Sequence, residues 1–456
     1  MAVSAEPWPA LPVLPDAATG AVVGSGLLPE LAHAFGGPFH FLLPDAFTAN
    51  LRAMRGALAT AGVDGFIYFA KKANKAAVFV ERAAANGAGV DVASAHELRE
   101  ALGHGVRGEH VVVTGPAKGP ALLRLAVTHG ALIAVDALDE LDAVITTALA
   151  GRVRPARILL RVLPPTQPHS RFGMTDGELA TALTRCVEAG EALRMEGFSF
   201  HLSGYALQPR ADLAARLIER CVEARMMGLE AGRISIGGGL PVSYTDPDSW
   251  HTFLAKQKPV HYHAGRTFRT ADFYPYHSPA SGAHALAALL EAHPEAAGGT
   301  LARALDDSGV ELLLEPGRAL LDQAGATVFT VRGVKDRDGY QLLTVDGTSL
   351  SLSEQWFNSE YVPDPLLIPA RTDAPAGTFP ASVGAATCLE SDMLTWRKIA
   401  FAHRPRQGDL LLYPNTAGYQ MDSNESPFHD LPLPPKVVID HTERSRPRWR
   451  LDRHRA

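Results

Sequence analysis

Eight short apolar runs, most of them followed by a stretch of helical period, constrain the fold of this 456-residue chain more than any other feature. The runs are GFIYFA (65–70), GVDVA (89–93), HVVVTG (110–115), ALIAVD (131–136), RILLRVL (157–163), GFSFHLS (197–203), RISIGGG (233–239) and ELLLEPG (311–317). Rich in Val, Ile and Phe, they read as strands. The segments between them include AFTANLRAMRGALATAG, SAHELREALGHG and DGELATALTRCVEAGEALRM, whose apolar residues recur at helical spacing. Eight strand–helix alternations fit an α/β architecture, a (β/α)8 TIM-type barrel. The interval between the seventh and eighth runs is long and holds YTDPDSW and DFYPYHSPASGAH, which read as an elaborated loop.

Outside this rhythm the texture changes. The first forty residues are Pro-rich and read as irregular, ending in a short strand within FGGPFHFLL. After residue 320, ATVFTVRGVKD, GYQLLTVDGT, FPASVGA, GDLLLYPN and PKVVID read as strands separated by Gly, Pro and Asp turns. The expected division is therefore a segment 1–44 lending a strand to a β-domain, a barrel over 45–320, and a β-sandwich or β-barrel domain over 321–456. The basic end HTERSRPRWRLDRHRA reads as a solvated tail.

Composition narrows the class. With 46% hydrophobic and 20% charged residues the chain can bury a sizeable core. A net charge of -6 without a basic stripe gives no nucleic-acid footprint. No apolar stretch approaches the ~18 residues of a membrane span. The N-terminus lacks a basic region followed by an apolar one, so no signal peptide is expected and the reading is cytoplasmic. Cys186, Cys221 and Cys388 are scattered, which suits neither a disulfide framework nor a zinc site. His261, His263 and His277 are close in sequence, but their spacing reads as an ordinary loop and no metal is expected.

Barrel active sites lie where strands end. The first strand ends in FAKKAN. If Phe66, Tyr68 and Ala70 share a face with Lys72, then Lys72 enters the barrel mouth and Lys71 points to helices or solvent. A desolvated lysine there can form a Schiff base. In GVDVASAHEL, Asp91 can support a neighbouring cation, while Ser94 and Glu97 read as a capping box. FSFHLSGY puts His201 at the mouth, an imidazole able to stack on a flat ring. Gly237, Gly238 and Gly239 serve equally as a plain turn or as a phosphate cradle. Glu315, Gly317 and Arg318, within EPGR, set a carboxylate and a guanidinium side by side.

Together FAKKAN, GVDVASAHEL, FHLSGY, GGG, EPGR, TCLESD and AGY occur in the order found in the fold-type III decarboxylases that use pyridoxal 5'-phosphate (PLP). From FGGPFHFL to PPKVVID the chain resembles this group, which includes ornithine, diaminopimelate and arginine decarboxylases and shares the alanine racemase fold. The resemblance implies that Lys72 bears the cofactor and that His201 stacks on its ring. It assigns Glu315 to the ring nitrogen, and Gly237 to Gly239 with Arg318 to the phosphate, with Asp91, Ser203 and Gly317 in the same cofactor site. It further implies that Tyr419 closes over the cofactor. Cys388 would act as proton donor, entering from the partner subunit of a homodimer with shared sites, and Glu390 and Asp392 would meet the substrate. Two departures stand out. Ser203-Gly204 reverses the usual Gly-Ser pair, and Leu389 separates Cys388 from Glu390. TAGYQMDSNESPFH looks closer to a subgroup of siderophore and other specialised pathways.

The implied reaction is decarboxylation of an amino acid, either a diamino acid or a diaminopimelate-like substrate, or a conjugated amino acid of a specialised pathway. A glutamate beside the ring nitrogen favours the protonated, electron-accepting ring, whereas racemases of this fold place an arginine there. Retention of Lys72, His201, Glu315, Arg318 and Cys388 argues against a non-catalytic regulatory homologue.

Overall fold

The computed structural model describes residues 8–151, 154–352, 358–371, 373, 376–440 and 447–452. Its contacts group into two compact units. One comprises Thr48–Pro241 and Ala280–Leu320; the other comprises the described residues up to Phe47, Val242–Pro279, and the described residues from Leu321 on.

Numbered along the chain, β1 (Phe39–Leu42) belongs to the second unit, and the next eight strands form the first. These are β2 (Gly65–Ala70), β3 (Gly89–Val92), β4 (Val111–Val113), β5 (Leu132–Val135), β6 (Ala156–Arg161), β7 (Leu193–Ser199), β8 (Arg233–Ser235) and β9 (Glu311–Leu314). They close into a barrel in sequence order, and β9 returns to pair in parallel with β2. All eight apolar runs are strands of this barrel. Phe66, Tyr68, Val112, Leu132, Leu159 and Leu313 pack together inside it, so the centre is filled rather than open. Helices cover the outside with ordinary caps. Ser94 accepts from the Glu97 amide at 3.1 Å, while the Glu97 carboxylate reaches past Ser94 to the Ala93 amide at 2.7 Å.

At the N-terminal rim β7 carries a bulge. Leu159 pairs with Gly197 where Ile158 pairs with Met195, so Glu196 is left over. Its carboxylate accepts from Arg157 at 2.6 Å and from Arg233 at 2.7 Å, and Arg233 also reaches Glu311 at 2.6 Å. One carboxylate thus ties β6, β7 and β8 together, with β9 joined through Arg233. Gly197 makes the bulge feasible, because its φ is +147° and a Cβ there would lie 1.8 Å from the Arg233 carbonyl oxygen.

The second unit is built on a sheet that includes β10 (Gly325–Arg337), β11 (Tyr340–Val345), β12 (Leu366–Ile368), β13 (Ala376–Gly384), β14 (Met393–His403), β15 (Leu410–Tyr413), β16 (Lys436–Asp440) and β17 (Arg448–Leu451). Its main order is β14-β13-β11-β10-β1-β16-β17, with β15 joined to β10 and β12. The N-terminal strand sits inside this sheet, antiparallel to β10 and parallel to β16.

Three differences from the sequence reading appear in this unit. The supposedly irregular N-terminus holds helices Ala17–Gly24 and Leu27–Phe35. Asp16 caps the first, and Leu27, Leu28 and Leu31 of the second pack on Phe39, Phe41, Val328 and Leu412. Part of the basic tail forms edge strand β17, whose four side chains are all exposed. The long interval, Val242–Pro279, groups with this unit rather than with the barrel as the 45–320 boundary had it. Its aromatic residues explain why. Tyr244 and Tyr276 pack edge-on against Tyr361 at 5.8 and 5.9 Å, inside the core of that unit.

The bulge gives a direct test of barrel packing. Gly197→Ala should destabilise the protein by about 2–4 kcal/mol, from overpacking against the Arg233 carbonyl together with the left-handed φ. A thermal midpoint lowered by roughly 5–10 °C is expected in a melt of the variant. A midpoint within 1 °C or so of wild type (about the size of a neutral surface change) would show that β7 relaxes freely at this point.

Candidate active site

At the opposite, C-terminal rim the ends of the strands place polar groups together. β2 ends at Ala70, and a 3-10 turn over Lys71–Ala73 follows. The turn buries Lys71 and leaves the Lys72 side chain 46% exposed, with its ammonium 2.6 Å from Asp91 Oδ2. Asp91, near the end of β3, is almost fully buried. Its other oxygen accepts from Thr114 Oγ1 at 2.6 Å, just beyond β4. A carboxylate fixed by a neighbouring hydroxyl therefore orients a half-exposed lysine and favours its charged form.

Glu315 follows β9 directly and is buried. Its Oε1 accepts from Ser235 Oγ at 2.6 Å, and Ser235 ends β8. Burial first, then the negative charge of Asp91, pushes the Glu315 carboxyl up to about 7, against the lowering effects of Lys72, Ser235 and Arg161. The group is thus poised between its neutral and charged forms near neutral pH, and a positive partner beside it would settle it as a carboxylate.

His201 and the three glycines complete the rim. His201 keeps an open side, yet its dense surroundings strip hydration, and Lys72, Arg161 and Arg210 add positive charge. Its pKa falls to about 3, so the imidazole is neutral. Gly237 and Gly239 have φ values of +66° and +81°. A Cβ on Gly237 would lie 2.4 Å from His201 Nδ1, one on Gly238 2.7 Å from the Glu315 carbonyl oxygen, and one on Gly239 2.2 Å from an Arg210 Nη. Each glycine therefore admits one neighbouring group that a side chain would push away. Arg318 is buried in a 3-10 turn two residues after Pro316, whose carbonyl accepts from the Ala70 amide. Ser203 is exposed, and its backbone meets the Gln167 amide group through two 3.4 Å contacts.

The remaining expected residues lie in the other unit. Cys388 is exposed, with its Sγ 3.3 Å from His429 Nε2. Glu390 is also exposed. Asp392 is not available in the same way: one oxygen accepts from the Ser349 amide at 2.8 Å and the other from the Thr387 amide and hydroxyl at 3.0 and 2.6 Å. It braces the turn that presents Cys388 and Glu390. Tyr419 is half-buried at φ +76°, a backbone conformation uncommon for a tyrosine.

Sequence reasoning passed over four residues that the rim brings into play. They are Thr114, Ser235, and the pair Arg161–Asp136, whose Nη1 and Oδ1 lie 3.2 Å apart. Each is a polar residue in or just past the C-terminal end of an apolar run, and that position was the available signal.

These residues fit PLP. An exposed lysine is held by a buried acid, a second acid sits in a desolvated position suited to a ring nitrogen, an open neutral imidazole can face a flat ring, and a glycine loop too tight for side chains suits a phosphate.

Comparison with known proteins agrees. Residues 45–272 match the family model described as pyridoxal-dependent decarboxylase, pyridoxal binding domain. An uncharacterized protein, y4yA, of Sinorhizobium fredii is 39% identical over 441 residues, 96% of this chain and 95% of that protein. The diaminopimelate decarboxylase of Halalkalibacterium halodurans is 25% identical over 431 residues, 90% of this chain and 88% of that enzyme. The fold is shared with diaminopimelate decarboxylase from Helicobacter pylori complexed with L-lysine, at 18% identity and a TM-score of 0.69 over 91% of this chain and 93% of that one. The chain belongs to the pyridoxal-dependent decarboxylase family: it is an amino-acid decarboxylase with PLP as its cofactor.

Proposed function

We propose that the C-terminal rim of the barrel is the active site, that Lys72 is the attachment point of the cofactor, and that the substrate is a diamino acid or a diaminopimelate-like amino acid. The observation that carries this reading is the 2.6 Å contact of Lys72 with Asp91 beside the buried Glu315–Ser235 pair. When bound, PLP supplies an electron sink for the electron pair left at Cα as CO2 departs.

The protein's own groups have distinct tasks in this reading. Asp91 orients the Lys72 amine. Glu315 beside the ring nitrogen favours a proton on that nitrogen, which strengthens the sink, and Ser235 holds the carboxylate in place. His201, neutral and open on one side, lies against the ring without adding charge. Gly237, Gly238 and Gly239 offer backbone N–H groups to the phosphate, helped by Arg318, with Ser203 and Gly317 on neighbouring loops. Cys388 returns a proton to Cα. Glu390 meets the distal ammonium of the substrate, Asp392 keeps the Cys388 turn in shape, and Tyr419 closes over the cofactor. Cys388 of the partner subunit serves each barrel, so the enzyme is a homodimer with shared sites.

Release of CO2 from a panel of diamino acids, diaminopimelate and conjugated amino acids tests the substrate class. Wild type should act on a diamino member, and Lys72→Ala should be inactive. Borohydride treatment should fix the cofactor to the peptide containing Lys72; fixation on Lys71 would move the attachment point. Activity on conjugates alone would support the specialised-pathway reading suggested by Leu389 between Cys388 and Glu390.

Glu315→Gln should retain the cofactor and lose activity roughly 10²-fold or more. The same variant has a second readout in the cofactor-free protein. Folding raises the Glu315 pKa from about 4.5 to about 7, so its contribution to stability is full below pH 4.5 and is lost as pH rises through 7. On the order of 2–3 kcal/mol of pH-dependent stability is at stake. Melts between pH 4.5 and 7 should therefore decline less steeply for Glu315→Gln than for wild type; parallel curves would place the proton elsewhere.

Mixing inactive Lys72→Ala with inactive Cys388→Ala tests the shared site. A mixed dimer has one site with both lesions and one with neither, so random exchange should restore roughly a quarter of wild-type activity. No recovery after verified exchange would assign Cys388 to its own chain.

A further inference from the structure

Arg210 is a buried cation without an anion. Its side chain is 1% exposed, and among the described residues no carboxylate lies within ion-pair distance of it. The guanidinium donates only to backbone carbonyls, from Nη1 to Ala206 O at 3.2 Å and from Nη2 to Leu202 O at 3.4 Å, and its buried Nε has no partner. Burial of this kind is unfavourable unless something compensates the charge.

Its position sharpens the question. Arg210 lies in the first turn of helix Gln208–Met226, which has no acidic residue in that turn and no side-chain cap. A helix N-terminus is already a region of positive potential, so a cation is the least favourable charge to place there. The guanidinium also lies directly behind Gly239, where a Cβ would come within 2.2 Å of an Nη and 3.3 Å of the Gly204 carbonyl oxygen. An uncapped helix end, a buried guanidinium and a glycine turn thus converge on one place, and all three favour an anion.

We propose that Arg210 is a positioning residue for the phosphate end of the cofactor: a buried cation behind Gly239 that strengthens binding of the phosphate dianion from the far side of the loop. This rests on the reading that Gly237 to Gly239 cradle the phosphate. Arg210 acts in two ways. Its charge attracts the dianion through a wall one glycine thick, where poor solvent screening preserves the interaction. Its hydrogen bonds hold the Leu202 and Ala206 carbonyls toward the guanidinium, which keeps those acceptors turned toward the cation.

The test separates the phosphate from the rest of the cofactor. Cofactor-free wild type, Arg210→Met, Arg210→Lys and Arg318→Met are titrated with PLP and with pyridoxal, which lacks the phosphate, following the absorbance of the bound form. Arg210→Met should lose about tenfold or more in PLP affinity while its pyridoxal affinity stays within about twofold of wild type. Arg210→Lys should recover part of the loss, and inorganic phosphate should compete with PLP less well in Arg210→Met than in wild type. Equal losses for both ligands would make Arg210 a plain loop support and overturn the proposal; unchanged PLP affinity would overturn it as well. If Arg210→Met does not fold, Arg210→Lys decides: a loss confined to PLP supports the proposal, and an equal loss or none overturns it. A wild type that binds PLP no better than pyridoxal would overturn the phosphate-cradle reading itself. If Arg318→Met loses the preference for PLP and Arg210→Met keeps it, the cradle stands and only the role of Arg210 falls.

Discussion

The hydrogen bonding of β9 back onto β2 is the contact on which the rest of the barrel unit depends. Gly65, Phe66 and Ile67 pair with Leu312, Leu313 and Leu314, and the Ala70 amide then donates to the Pro316 carbonyl. This seam brings the Lys72 turn and Glu315, far apart in the chain, onto one rim. Everything between them contributes a strand end in sequence order. Lys72, Asp91, Thr114, Asp136, Arg161, His201, Ser235 and Glu315 are in effect a transcript of the eight strand termini. A barrel left open at this seam would keep each residue but lose the constellation.

The two rims spend charge differently. At the N-terminal rim every arginine named above meets a glutamate, and Glu196 serves Arg157 and Arg233 at once. That arrangement is satisfied and asks for nothing further. At the C-terminal rim the groups are left uneven. Glu315 holds a proton near neutrality, His201 is kept neutral among cations, and Arg210 has no acid. Mismatched charges of this kind cluster where a ligand completes the electrostatics, and here the mismatches correspond to the two ends of PLP: a ring nitrogen for Glu315 and a phosphate for the glycine loop.

The barrel was legible because its strands are short, uninterrupted apolar runs and because polar landmarks follow each one. Lys72, Asp91, His201 and Glu315 could be found by reading only what comes after a run. Ser235 was less visible because it lies inside RISIGGG, where a single hydroxyl looks like tolerated variation; only the 2.6 Å bond to Glu315 gives it a task. Arg210 was invisible for a related reason. In QPRADLAARL it reads as an ordinary surface residue of a helix, and its burial comes from the fold of the 201–207 loop over it. Helix Leu27–Phe35 escaped because a proline lies within it and its packing partners, Val328 and Leu412, are hundreds of residues away. β14 was overlooked because Trp396, Arg397 and Lys398 break its apolar pattern, and the acceptors that make Arg397 tolerable, Pro9 O and Val362 O, are distant in sequence.

The placement of β1 has a consequence for the order in which the molecule can be made. Phe39–Leu42 is among the first parts of the chain to leave a ribosome, yet its two neighbours are β10 and β16, the latter close to the C-terminus. The strand must remain unpaired while the whole barrel is synthesised, carrying Phe39 and Phe41 with no sheet to receive them. Pairings of such long separation form slowly and leave apolar segments open to wrong partners in the meantime. Truncation near residue 320 would therefore remove more than a C-terminal domain: it would also strand the N-terminal segment and the Val242–Pro279 excursion, both of which need that domain for their packing.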